Sequence, residues 1–141
     1  MKEVLLDTGA LIGLQRDRRA FLGLLGSVDR RGIQLRTSPA VLVEFLGGSP
    51  RALRSASDWL MSFVEVGTVD EMIGRRAATL MRASLDGSTQ ASPGAIDALV
   101  AAEAERRGCE VVISGDRNDF DALATASGRF KVIDLEDVVA P

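Results

Sequence analysis

Residues 4–14 read Val4-Leu5-Leu6-Asp7-Thr8-Gly9-Ala10-Leu11-Ile12-Gly13-Leu14. Three apolar residues run into an acid, and beyond it the apolar positions take up helical spacing, so the stretch predicts a strand that ends at Asp7 and passes directly into a helix. The same unit returns late in the chain, where Val111-Val112-Ile113-Ser114 reads as a strand and Asp116 opens a helical segment to Ala124. Ile33 to Arg36, Val64 to Val66 and Lys131 to Ile133 are further candidate strands. Between them, Arg18 to Val28 carries the apolar stripe Phe21, Leu22, Leu24, Leu25 and Val28, which stops near Arg31-Gly32.

Three Ser-Pro pairs, Ser38-Pro39, Ser49-Pro50 and Ser92-Pro93, each offer an N-cap serine followed by proline at the first helical position. They predict helices through Ala40 to Leu46, on to Phe63, and from Ala95 to Arg107, the last stopped by Gly108. Thr68 and Glu71 have capping-box spacing ahead of the stripe Met72, Ile73, Ala77, Leu80 and Met81. Gly87 to Gln90 is the most loop-like stretch, and a short acidic helix is expected at the end. Strands alternating with helices predict an α/β fold with a parallel sheet covered on both faces.

A chain of 141 residues fits a single domain spanning residues 1–141, with a core large enough to need no disulfide. Its 46% hydrophobic and 26% charged composition is that of a soluble globule. No apolar run approaches the ~18 residues of a membrane span, and no signal peptide is evident, so no membrane partner and a cytoplasmic location are expected. Cys109 alone can form neither an internal disulfide nor a thiolate cluster, and reads as a small residue at a strand start. The absence of histidine excludes Ser/His/Asp and Cys/His catalysis and ordinary zinc sites. A net charge of −3 gives no global attraction to nucleic acid, yet Lys occurs only at Lys2 and Lys131. Arginine clusters such as Arg16, Arg18 and Arg19, or Arg51 and Arg54, could hold phosphates or could be solvated helix faces.

Four acids stand out. Asp7 and Asp116 follow two different strands, where ligands of parallel sheets bind, although either could serve as a helix N-cap. Glu44 and Asp97 lie among apolar neighbours in helices, which predicts that both are buried, and neither has a Lys or Arg three or four residues away. Burying a carboxylate costs several kcal/mol unless a cation or donors compensate it. A pocket of such acids suits a hard cation, Mg²⁺ or Mn²⁺, which takes oxygen ligands and can activate water against phosphorus. Thr8 beside Asp7, and Ser114 two residues before Asp116 on the same strand face, could position a carboxylate or a metal-bound water, with ordinary strand-end hydrogen bonding the other reading of Ser114. Asp119 is a further candidate ligand, or an acid favouring the dipole of its helix.

The segments VLLDTGALIGL, SPAVLVEFLGG, SPGAIDALVAAEAERRG and VVISGDRNDFDAL, in this order, resemble the PIN domain and in particular the VapC toxins of toxin–antitoxin pairs. That resemblance implies a three-layer α/β/α fold with a central parallel sheet and an Mg²⁺- or Mn²⁺-dependent endoribonuclease acting on structured RNA. It further implies a homodimer and a cognate antitoxin. Asp7, Glu44, Asp97 and Asp116 would take the metal-binding and catalytic positions, with Ser114 at the hydroxyl position. Gly115 departs from the pattern as an unusually small residue.

Two other classes stay open. One is a PIN-like module that chiefly holds a protein partner, with Phe21, Leu24, Trp59 and Phe63 as possible interface. The other is a phosphoacceptor regulator, which would want a lysine beside the acidic strand ends.

Overall fold

The computed structural model describes residues 2–87, 93–115 and 117–139. Five strands form one sheet: β1 (Lys2–Leu6), β2 (Ile33–Thr37), β3 (Glu65–Val66), β4 (Val111–Ser114) and β5 (Lys131–Asp134). All are parallel, in the order β3-β2-β1-β4-β5. Eight helices cover the sheet among the described residues: α1 (Thr8–Arg16), α2 (Arg18–Arg30), α3 (Pro39–Gly47), α4 (Arg54–Met61), α5 (Glu71–Gly87), α6 (Ala95–Arg107), α7 (Arg117–Ser127) and α8 (Leu135–Val139). Helix α1 packs on α2, α3 and α4, and α2 on α8, whereas α5, α6 and α7 pack on one another. The architecture is the three-layer α/β/α sandwich expected of the sequence.

The sheet is registered so that its carboxyl ends align. Leu6 pairs with Thr37 on one side and Ile113 on the other, and Ser114 pairs with Asp134. Strand order reverses between β1 and β4, and the carboxyl ends of strands at such a reversal are where open parallel sheets bind ligands. Leu5, Leu6, Leu11, Leu35, Phe45, Leu60, Leu80, Phe120 and Leu123 are fully buried around the sheet, each stabilising the fold by roughly 1.5–3 kcal/mol. Helix α6 buries Ala98, Ala101, Ala102 and Ala104, and these small side chains let it lie close to β1, α5 and α7. Burial pushes the Cys109 thiol up to about 11, so it stays an inert core thiol.

Local signals explain the helix starts, with some corrections. Ser38 caps α3, its Oγ accepting from the Ala40 N–H at 3.1 Å, with Pro39 at the first position as expected. Ser49 starts nothing: its hydroxyl donates back to the Phe45 carbonyl at the end of α3, and a 3-10 turn, Arg51–Leu53, leads into α4. Thr68 does not cap α5. Asp70, immediately before the helix, does so by accepting from the Ile73 N–H at 2.9 Å, because an adjacent carboxylate outcompetes a hydroxyl two residues further out. Gly94 occupies the N-cap position of α6, and Ser92 lies outside the described residues. Gly87 is the last residue of α5, and the loop expected after it, residues 88–90, also lies outside them. Gly108 ends α6 at φ 68°, a left-handed conformation that glycine adopts without strain. Among the described residues no helix is long and apolar enough to cross a membrane.

Candidate functional site

Asp7 stands one residue beyond β1, in extended conformation and only 4% exposed. Its carboxylate is held from two sides. The Ala10 N–H of α1 donates to Oδ1 at 2.7 Å, so Asp7 is indeed the N-cap of α1. From the neighbouring strand, the Ser114 hydroxyl donates to Oδ2 and the Gly115 N–H to Oδ1 at 3.2 Å. The Asp7 N–H in turn donates to the Ile113 carbonyl at 3.1 Å, continuing the β1–β4 pairing by one residue. Three donors thus fix the orientation of this one carboxylate.

Glu44 overturns its expectation. It is exposed, as are Val43 at 72% and Leu46 at 42%, and α3 buries only Val41 and Phe45. Apolar neighbours on every side of a helix do not bury it when it lies at the rim of the sandwich, and α3 touches both α1 and α6 there. What fixes Glu44 is Thr8, whose Oγ1 donates to Oε1 at 2.7 Å. Thr8 therefore positions a carboxylate, though not that of its neighbour Asp7.

Asp97 is half-buried in the first turn of α6, where its Oδ2 accepts from the Gly94 N–H at 3.3 Å. It thus has a local structural role that the sequence did not reveal. Burial is the main cause that pushes its carboxyl up to about 6; the Gly94 bond opposes this, and the charges of Asp7, Asp119 and Glu44 add to it. Four acids, from the N-cap of α1 and from α3, α6 and α7, therefore act within one electrostatic field at the strand ends. Among the described residues no Lys or Arg pairs with Glu44 or Asp97, which removes a tertiary salt bridge as their explanation. Asp119 sits in the first turn of α7, where it favours the dipole, and its charge adds to the rise of Asp97. Asp116 lies outside the described residues. Among the described residues no three acids close into a complete metal-binding group.

Other candidates fall elsewhere. Both lysines begin their strands, at the opposite end of the sheet from Asp7, so the phosphoacceptor reading lacks its cation. Phe21 and Leu24 are core, while Trp59 and Phe63 stack edge-on with Phe21 and each other, with centroids 5.3–5.9 Å apart. Arg16, Arg18, Arg19, Arg51 and Arg54 are exposed, and Arg18 lies over the Trp59 ring at 4.5 Å. Sequence reasoning missed two features. Gly9 and Gly115 touch beside Asp7, the only signal being a glycine near each strand-end acid. Glu103 is a carboxylate only 1% exposed in α6, set among alanines as Asp97 is.

Residues 4–126 match the PIN domain family. The chain belongs to that family. As a PIN domain it is similar in fold to a DNA-bound VapBC complex from Salmonella typhimurium, with TM-score 0.74 at 18% identity, covering 96% of this chain and 99% of that one. VapBC2 from Rickettsia felis, bound to a promoter DNA fragment, gives 0.74 at 15% identity over 94% and 98%. VapC20 of Mycobacterium tuberculosis, a sarcin–ricin loop cleaving toxin, gives 0.56 at 17% identity over 77% and 86%. No protein with a curated description matches the sequence.

Proposed function

We propose that this PIN domain is an endoribonuclease dependent on Mg²⁺ or Mn²⁺, the toxin of a toxin–antitoxin pair working in the cytoplasm. The observation that carries the reading is a half-buried Asp97 with no Lys or Arg pairing it among the described residues, set at the strand ends where Asp7, Asp119 and Glu44 add their charges. An all-oxygen donor set whose members repel one another suits a hard divalent cation. Asp7, Asp97 and Asp116 would hold it, with Glu44 completing the set and Asp119 beside them. When bound, such a cation supplies a Lewis acid at the phosphodiester. The chain's own groups do the positioning: Ser114, with the N–H groups of Ala10 and Gly115, orients Asp7, and Thr8 orients Glu44. The fold shared with VapBC complexes and with a sarcin–ricin loop cleaving toxin supports structured RNA as the substrate and an antitoxin as a partner.

The test is cleavage of structured RNA with Mg²⁺ or Mn²⁺. Cleavage is expected to vanish in chelator and in Asp7→Asn; undiminished cleavage in either condition refutes the proposal.

One observation favours a second role. Val43 and Leu46 stand exposed on α3 on either side of Glu44, an apolar surface that suits a protein partner, whether a second copy or an antitoxin. Co-purification with a small partner, without Mn²⁺ uptake, would make that role the principal one.

A further inference from the structure

Gly9 and Gly115 bring the two halves of the site into backbone contact. A Cβ on Gly115 would stand 2.7 Å from the carbonyl carbon of Gly9, 2.8 Å from its Cα and 2.9 Å from its oxygen. A Cβ on Gly9 would stand 3.0 Å from the Gly115 Cα and 3.2 Å from its nitrogen. Backbone atoms cannot rotate aside as a side chain can, so any residue but glycine at position 115 forces the two segments apart. Neither glycine has positive φ, so space and not backbone conformation selects them. The contact lies where residues 113–115 grip Asp7 through the Ile113 carbonyl, the Ser114 hydroxyl and the Gly115 N–H. The Gly115 bond, at 3.2 Å, is the longer of the two backbone bonds to Oδ1 and gives way first when the segments separate.

We propose that Gly9 and Gly115 are positioning residues, whose side-chain-free contact sets how closely the segment after β4 closes on the Asp7 carboxylate and hence how tightly the site holds its cation. The inference rests on the metal-dependent nuclease reading. It also makes sense of Gly115 as a departure from the family pattern: the small residue matches the glycine opposite it.

The experiment compares wild type, Gly115→Ala, Gly9→Ala and Gly74→Ala. Gly74 lies in α5 with nothing within 4 Å of its added Cβ, and serves as the control. Three quantities are read: hydrogen exchange of the residue-115 amide without metal, Mn²⁺ affinity by calorimetry, and kcat and KM on RNA. Gly115→Ala is expected to weaken Mn²⁺ binding by about 10- to 100-fold, as loss of an outer partner of a metal ligand does. Gly9→Ala should follow with a smaller loss, and Gly74→Ala should match wild type. In the two site variants kcat falls while KM is kept, and amide 115 exchanges faster. Where Gly115→Ala does not fold, Gly9→Ala, with the looser contact, decides the matter. Wild-type Mn²⁺ affinity and unchanged amide protection in the site variants overturn the proposal. Should wild type itself take up no Mn²⁺ and cut no RNA, the nuclease reading fails; positioning of Asp7 is then judged by amide exchange alone, unchanged protection in Gly9→Ala counting against it.

Discussion

Helices α3 and α6 look alike on paper and live in opposite surroundings. Each sets acids among apolar residues, Glu44 in Val-Leu-Val-Glu-Phe-Leu, and Asp97 and Glu103 in an alanine-rich run. Helix α3 sits at the rim with Val43, Glu44 and Leu46 in solvent, whereas α6 is wedged between the sheet and α5 and α7. Apolar residues on every side of a helix therefore do not show that its own chain covers it. Charge is cheap on α3 and costly on α6, where it deepens from half-buried Asp97 to enclosed Glu103. Both Glu103 oxygens lack a hydrogen-bond partner among the described residues. Burial pushes this carboxyl up to about 7; the Ser38 hydroxyl, near it but outside hydrogen-bond geometry, and Arg107 pull the other way.

The largest expected contrast is in catalysis. Asp97→Asn should lower kcat on RNA by about a hundredfold or more, as loss of a metal-site group does. It should also stabilise the metal-free protein by on the order of 2 kcal/mol at pH 8, a figure discounted for partial exposure. Glu44→Gln, on the exposed helix, should reduce cleavage without raising the melting temperature. If both variants gain the same stability, the contrast between the helices is wrong.

Next comes Glu103. A carboxyl whose folded value is raised from 4.5 to about 7 contributes stability that is full below pH 4.5 and lost as pH rises through 7. Glu103→Gln should therefore be about as stable as wild type near pH 4, and more stable by roughly 3 kcal/mol at pH 8. Urea unfolding at the two pH values measures this; an equal gain at both would show that the effect is not ionisation.

The smallest effect belongs to Thr8→Val. Losing the bond to Glu44 should cost about 1 kcal/mol at most and weaken Mn²⁺ uptake only a few-fold, with the melting temperature nearly unchanged.

Much of the fold could be read from residues whose signals are local. The strand Val111–Ser114 and the helix Ala95–Arg107 with its Gly108 stop appear as expected, because apolar runs and caps act within a few residues. Ser49-Pro50 misled because a serine at a helix end can bond backwards to the preceding turn as readily as forwards to the next. In the site, Asp7 and Ser114 were legible as strand ends, yet the bonds that join them span 107 residues, and only the sheet order makes them neighbours. Glu44 was located by its chemistry and misjudged in its burial. Glu103 went unnoticed because it meets only half of the criterion that singled out Asp97: it too is set among alanines, but Arg106 and Arg107 lie three and four residues on. The glycine contact was invisible because it consists of atoms that are absent.

Reversal of strand order between β1 and β4 also governs when the site comes into being. The ribosome delivers Asp7 107 residues before Ser114, and its grip comes from Ile113, Ser114 and Gly115. A nascent chain that has not yet released β4 carries the acids without the arrangement. Whatever chemistry this pocket performs is thereby deferred until β4 has emerged and paired with β1.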